Sequence, residues 1–144
     1  MPLKEILDQL VSERARQSPQ ILFRFCAEEL ASSYGDTVDL TIYRCIQEGL
    51  TNAIRHAQAT VVEVEIDNNH APGLLKLVIR DDGRGMSVAA PSGLGIRGMQ
   101  ERVEGLGGRY VLQSEIGRGT CVNITIPLGD LGYRRDSRIV AITP

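Results

Sequence analysis

The sequence predicts an α+β protein, a two-layer α/β sandwich with helices packed on one face of a mixed, mostly antiparallel sheet. Three observations predict it. Two long segments carry apolar residues at the three- and four-residue spacing of an amphipathic helix. The middle and C-terminal parts hold short apolar runs of strand length, bounded by turn residues. Several of these strands follow one another directly, which calls for antiparallel or mixed pairing with helices laid against the sheet.

Leu3, Ile6, Leu7, Leu10 and Val11 mark a first helix over Leu3 to about Arg16, closed by Pro19. Residues 21–25 form a strand, and the Ser32-Ser33-Tyr34-Gly35-Asp36 cluster marks a loop. Asp39 or Thr41 is expected to cap a long helix running to about Ala57. Residues 61–66 and 74–79 are strands separated by an Asn68 to Gly73 turn, and the chain from Asp81 to Gly98 is glycine-rich and irregular. A helix from about Ile96 to Leu106 stops at Gly107-Gly108. Strands at 109–113 and 121–126 flank Gly117-Arg118-Gly119. Residues 1–128 are expected to form one domain, with 129–144 as a C-terminal tail.

Composition narrows the function classes. The 144 residues are 42% apolar and 24% charged, enough for one sizeable core. A net charge of −2 gives no global field toward nucleic acid or an anionic membrane. With 4% aromatics and no Trp, a base-stacking platform for single strands is not expected. Apolar runs are strand-sized, so no transmembrane helix or signal peptide is expected. Met1-Pro2 leads straight into a helical pattern, as for a piece of a longer protein. Cys26, Cys45 and Cys121 lack metal-ligand spacing and read as three small core residues in a reducing compartment.

Three motifs carry chemistry. In Gln47-Glu48-Gly49-Leu50-Thr51-Asn52-Ala53-Ile54-Arg55-His56-Ala57, residues Glu48, Asn52 and Arg55 fall within about 60° of helical arc, opposite Ile42, Ile46, Leu50, Ala53 and Ala57. Such a stripe usually faces water. A carboxylate, an amide and a guanidinium in register can instead hold Mg²⁺ and phosphates. Asp81-Asp82-Gly83-Arg84-Gly85 follows an apolar strand: a plain Asp-Gly turn, or a carboxylate able to accept from an exocyclic amino group such as adenine N6. Gly93-Leu94-Gly95-Ile96-Arg97-Gly98 opens a helix, where free backbone N–H groups favour anions. The same glycines suggest a dinucleotide-binding fold, but no strand precedes Gly93 and too little chain follows Glu115 to complete one.

Together and in this order, the motifs resemble the GHKL superfamily of ATPases and kinases. The N box is similar to Glu48 through His56, the G1 box to Asp81-x-Gly83-x-Gly85, the G2 box to Gly93-x-Gly95, and Gly119-Thr120 matches a fourth element. Gln47 to Asn52, Gly95 to Val103 and Gly105 to Gly108 most resemble sensor histidine kinases that partner NarL-type response regulators. The resemblance implies a Bergerat-type sandwich with ATP between the long helix and a lid over about Arg84 to Leu94. It implies that Asn52 coordinates Mg²⁺, that Arg55 contacts phosphate, and that Asp81 reads the adenine amino group with Thr120 nearby. Gly83, Gly85 and Met86 would shape the pocket, and Gly93, Leu94, Gly95, Ile96 and Gly98 would close on the phosphates. Glu48 is implied as a base toward the attacking group or as a helper in placing the metal. His56 is either a phosphate contact or a packed histidine. Arg97 and Arg102 are either phosphate contacts or, as the safer reading, exposed ion-pair residues, and Arg84 receives no role.

Neither histidine, His56 nor His70, lies on a dimerising helix pair that would present a phosphoacceptor. The resemblance therefore implies a monomeric, cytoplasmic catalytic domain without direct membrane contact. It would act on a histidine of a separate helical domain and be unable to phosphorylate itself, with relay to a response regulator. The rival within the superfamily is an anti-sigma-factor-type serine kinase; the Gly98 to Arg102 segment favours the sensor kinase. Mechanical ATPases of the superfamily need a longer lid and a transducer domain.

Overall fold

A computed structural model describes residues 1–86 and 95–129. In chain order the elements are α1 (Leu3–Gln17), β1 (Leu22–Glu28), α2 (Asp36–Arg55), β2 (Val61–Ala71), β3 (Leu74–Asp81), α3 (Ile96–Gly105), β4 (Arg109–Ser114) and β5 (Thr120–Pro127). The strands form one sheet in the order β1-β2-β3-β5-β4. β1 runs parallel to β2, with α2 as the crossover, and every other pair is antiparallel. The expected α+β sandwich is the observed one.

Alternation along the strands decides which face the helices cover. Val62, Val64 and Ile66 of β2, Leu75, Leu77 and Ile79 of β3, and Val122, Ile124 and Ile126 of β5 are buried. They share one core with Leu3, Leu7 and Leu10 of α1 and with Ile42, Ile46, Leu50 and Ala53 of α2. Burial of each large aliphatic side chain stabilises the fold by about 1.5–3 kcal/mol. The opposite face carries charge: Arg24 and Arg80 flank Glu63 at 2.9 and 3.3 Å, and Arg80 reaches Glu65 at 3.6 Å. Such exposed pairs add little stability and keep the uncovered face polar. No helix among the described residues is long and apolar enough to cross a membrane.

Four expectations need correction. The long helix begins at Asp36 after Gly35, with no side-chain cap. Asp39 instead turns back onto the preceding loop, accepting from the Tyr34 N–H at 2.8 Å and the Ser33 hydroxyl at 2.5 Å, while Thr41 is buried. α2 ends at Arg55 rather than Ala57, because Gln58 takes a positive φ of 54°. The Asn68 to Gly73 turn shrinks: β2 continues to Ala71 through a register shift after Asp67. Of the three cysteines only Cys45 is in the core; Cys26 is exposed and Cys121 half-buried, since both lie on the uncovered face of the sheet. Beyond Gly129 the expected tail lies outside the described residues.

Candidate nucleotide-binding site

The site forms where the pocket side of α2 meets the ends of β3 and β5 and the start of α3. Cys45, Glu48, Gly49, Asn52 and His56 recur at helical spacing and face a cleft that β3 closes with Asp81 and β5 with Thr120. The cleft has two connected parts that share Asn52, Asp81, Met86 and Thr120. One is an apolar slot of about 20 Å³ against Cys45, Ile79, Ile96, Met99, Tyr110 and Leu112. The other is a wider mouth of about 300 Å³ against His56, Ala57, Arg84 and Gly85. Burial pushes the Cys45 thiol and the Tyr110 phenol up to about 12, so these two side chains stay neutral at physiological pH. The slot has room for about one water molecule, so a flat ring would rest where it opens into the mouth.

Asp81 and Asp82 are neighbours with opposite tasks. Asp81 is half-buried at the slot, and its Oδ1 accepts from the Gly83 N–H at 2.8 Å. Burial raises its pKa; the charge of Asp82 adds to this, while the Gly83 and Thr120 backbone groups oppose it. Asp82 is exposed and accepts from the Thr60 N–H at 2.8 Å, the Val61 N–H at 2.9 Å and the Thr60 hydroxyl. The Thr60 side chain, chiefly, holds its carboxyl below the usual range. Asp82 secures the start of β2, which leaves Asp81 for the cleft.

Asn52 gives the fit test for a cation. Its Oδ1 is buried with no hydrogen-bond partner among the described residues. An orphaned buried acceptor costs about 1–3 kcal/mol, so the site is built for a donor or a cation. An amide oxygen is a hard ligand suited to Mg²⁺. No group of three or more His, Cys, Asp or Glu side chains among the described residues could hold a metal, so a cation here would draw its other ligands from the bound molecule and from water.

Glu48 lies against Gly95, the N-terminal cap of α3, whose φ of 82° is left-handed; a side chain at Gly95 would come within 2.4 Å of the Glu48 carboxyl carbon. Met99 N–H to Gly95 oxygen, 3.0 Å, is the first bond of that helix. The N–H groups of Ile96, Arg97 and Gly98 are therefore the open donors of its first turn. Ile96 is buried in the slot and Gly98 is exposed. Gly93 and Leu94, with most of the expected lid, lie outside the described residues. Arg55 is exposed, lines neither part of the cleft and has no ion-pair partner among the described residues. His56, the next residue, lines the mouth and is exposed, so it is not a packed histidine. Gly83 is buried against Ala57 instead of lining the cleft. Arg97 and Arg102 are exposed without ion pairs among the described residues, against the expectation for them.

Sequence reasoning missed the groups that hold the loop. Arg84 donates through Nε to the His56 carbonyl at 2.7 Å and through its backbone N–H to the Ala57 carbonyl at 2.8 Å. Its own carbonyl accepts from the Gly117 N–H at 2.6 Å. Ser114 accepts from the Met86 N–H at 2.8 Å. The loop after β3 is thus stitched to the end of α2 on one side and to the β4–β5 hairpin on the other. Both Arg84 and Ser114 act across 28 residues of sequence, which no local pattern reveals.

Comparison with known proteins agrees with this geometry. Residues 37–130 match the family described as histidine kinase-, DNA gyrase B-, and HSP90-like ATPase. The chain is 33% identical over 107 residues to the oxygen sensor histidine kinase NreB of Staphylococcus carnosus, covering 69% of this chain and 29% of that one. It is 31% identical over 128 residues to the sensor histidine kinase LiaS of Bacillus subtilis, covering 88% of this chain and 34% of that one. Among solved structures it resembles the histidine kinase domain of the blue-light activated histidine kinase of Erythrobacter litoralis, with a TM-score of 0.69 and 26% identity over 92% of this chain and 64% of that one. The chain spans about a third or less of the curated relatives' length. By motif order, by fold and by these matches, the chain belongs to the histidine kinase-, DNA gyrase B- and HSP90-like ATPase family.

Proposed function

We propose that this chain is the cytoplasmic ATP-binding catalytic domain of a sensor histidine kinase, and that it presents Mg·ATP to a histidine on a separate helical domain. The phosphoryl group would then pass to a response regulator of the NarL type, a reading supported by the likeness to sensor histidine kinases and by the motif variants in α2 and α3. One observation carries the nucleotide pose: the half-buried Asp81 carboxylate and the orphaned Asn52 amide oxygen face the same cleft. In that pose the adenine ring lies in the mouth where it meets the slot, with its amino group toward Asp81. Asn52 would hold Mg²⁺ together with phosphate oxygens, the metal supplying charge neutralisation of the phosphates. His56 at the mouth offers a ring N–H to the phosphate tail, and the open N–H groups of α3 offer it the positive end of a helix. Glu48 of α2, which packs against Gly95 at the start of α3, would act as a base toward the incoming histidine or help to place the metal.

Calorimetric titration with ADP and a non-hydrolysable ATP analogue, with and without Mg²⁺, tests the pose. Asp81→Asn replaces a charged acceptor by a neutral amide and should weaken binding about ten- to a hundredfold. Asn52→Ala should chiefly remove the magnesium dependence. The chain alone should gain no acid-labile label from γ-labelled ATP. Absence of adenine-nucleotide binding at millimolar concentration would sink the proposal.

A further inference from the structure

Ser114 ends β4, outside both parts of the cleft, yet its hydroxyl meets three polar atoms. The Met86 N–H lies at 2.8 Å, the Gly119 carbonyl at 3.0 Å and the Thr120 hydroxyl at 2.8 Å. A serine hydroxyl has one proton and two lone pairs. The Met86 N–H can only donate and the Gly119 carbonyl can only accept. The Ser114 proton therefore goes to Gly119, one lone pair receives Met86, and the other must receive the proton of Thr120. Only this arrangement satisfies all three contacts. Thr120 is left with lone pairs alone to offer the cleft.

We infer that Ser114 is a positioning residue that fixes the Thr120 hydroxyl as a hydrogen-bond acceptor toward the bound base, and so sets the preference for a base carrying an amino group over one carrying a carbonyl. The inference rests on the nucleotide reading above. Asp81 and Thr120 are direct partners in the β3–β5 register, which sets two acceptors side by side at the slot. An exocyclic amino group has two protons, enough for both, one of them through a bridging water if needed. A carbonyl oxygen at the same place meets two acceptors and no donor, and the site rejects it because buried polar atoms are left unpaired. Without the Ser114 hydroxyl, the Thr120 proton can rotate into the cleft and bond a carbonyl.

The test compares affinity for ADP with affinity for inosine diphosphate, which carries a carbonyl in place of the amino group, using the 144-residue chain. Ser114→Ala should lower the ADP-over-IDP ratio by about tenfold. Loosening of the Met86 anchor alone would weaken both ligands equally and leave the ratio unchanged, which would overturn the inference. Thr120→Val gives an independent reading should Ser114→Ala fail to fold. Loss of an acceptor should weaken ADP while sparing IDP; an equal loss for both, or a larger loss for IDP, overturns the assignment. If the wild-type chain binds no ADP at all, the nucleotide reading itself fails and this inference goes with it. If ADP binds and only the ratios disagree, the inference alone fails.

Discussion

The two ends of β3 are built by opposite means. At Leu74 the strand joins its neighbour through Pro72 and Gly73, and one backbone bond from the Leu128 N–H to the Gly73 carbonyl, 2.7 Å, ties the turn to a distant segment. At Asp81 the chain runs into a loop held by Thr60, Val61, His56, Ala57, Ser114 and Gly117. The first end needs only a good turn; the second needs most of the molecule. The cleft-facing atoms sit at the second end because a loop can aim them only when distant segments restrain it.

Two glycines with nearly the same backbone angle offer the sharpest way to break this comparison. Gly73 has a φ of +68° and open space where a side chain would go. Gly85 has a φ of +69°, but a methyl group there would lie 2.0 Å from the Glu115 carbonyl oxygen. Gly73→Ala should cost about 1 kcal/mol, the ordinary penalty for a left-handed alanine. Gly85→Ala adds a backbone collision and should cost about 3 kcal/mol or more, with nucleotide binding lost. Urea unfolding of both variants decides; equal costs would mean that the stitched end is no more constrained than the simple turn.

A smaller effect separates the two carboxylates. Asp82→Asn should lose about 1 kcal/mol at neutral pH, since its bonds to Thr60 and Val61 are charge-assisted but exposed. A lowered folded pKa stabilises the fold above the ordinary value of 3.8 and ceases to do so as pH falls through the folded value. The deficit of the variant should therefore vanish in acid. The smallest effect has the other sign. Asp81 has a raised pKa, so its contribution is most favourable below 3.8 and is lost as pH rises through the folded value. Asp81→Asn should raise the stability of the ligand-free chain at neutral pH by less than about 1 kcal/mol, while weakening nucleotide binding about ten- to a hundredfold. A variant less stable than wild type at pH 7 would show that Asp81 holds the fold and is not reserved for a ligand.

Periodicity made the helices, the consecutive strands and hence the sandwich legible, because buried aliphatics such as Ile42, Ile46 and Leu50 recur at one spacing. Helix starts were less legible: Asp36, Asp39 and Thr41 all have capping chemistry, and the fold uses Gly35, which has no side chain to recognise. The three motifs pointed to one cleft, since Glu48, Asn52, Asp81 and Ile96 line it together with Thr120. Which neighbour on α2 faces it was not legible. A helical wheel places Arg55 and His56 on either side of Asn52, and only the position of β3 turns the cleft toward His56. Burial of Cys45 and exposure of Cys26 likewise depend on which face of the sheet the helices cover. Ser114 looks like any strand-end serine until Met86 and Thr120 are brought to it.

The pairing of β3 with β5 also decides when recognition becomes possible during folding. The β2–β3 and β4–β5 hairpins each close a short loop, as Ala71 with Leu74 and Ser114 with Thr120 show. Pairing Asp81 with Thr120 must close a much longer one, around α3, and long-range closure is the slow, entropically costly kind. A chain with both hairpins formed but undocked would hold every motif and still lack the two adjacent acceptors. Binding of a nucleotide thus reports completed topology, and a ligand that requires both hairpins pulls the final docking step forward by mass action.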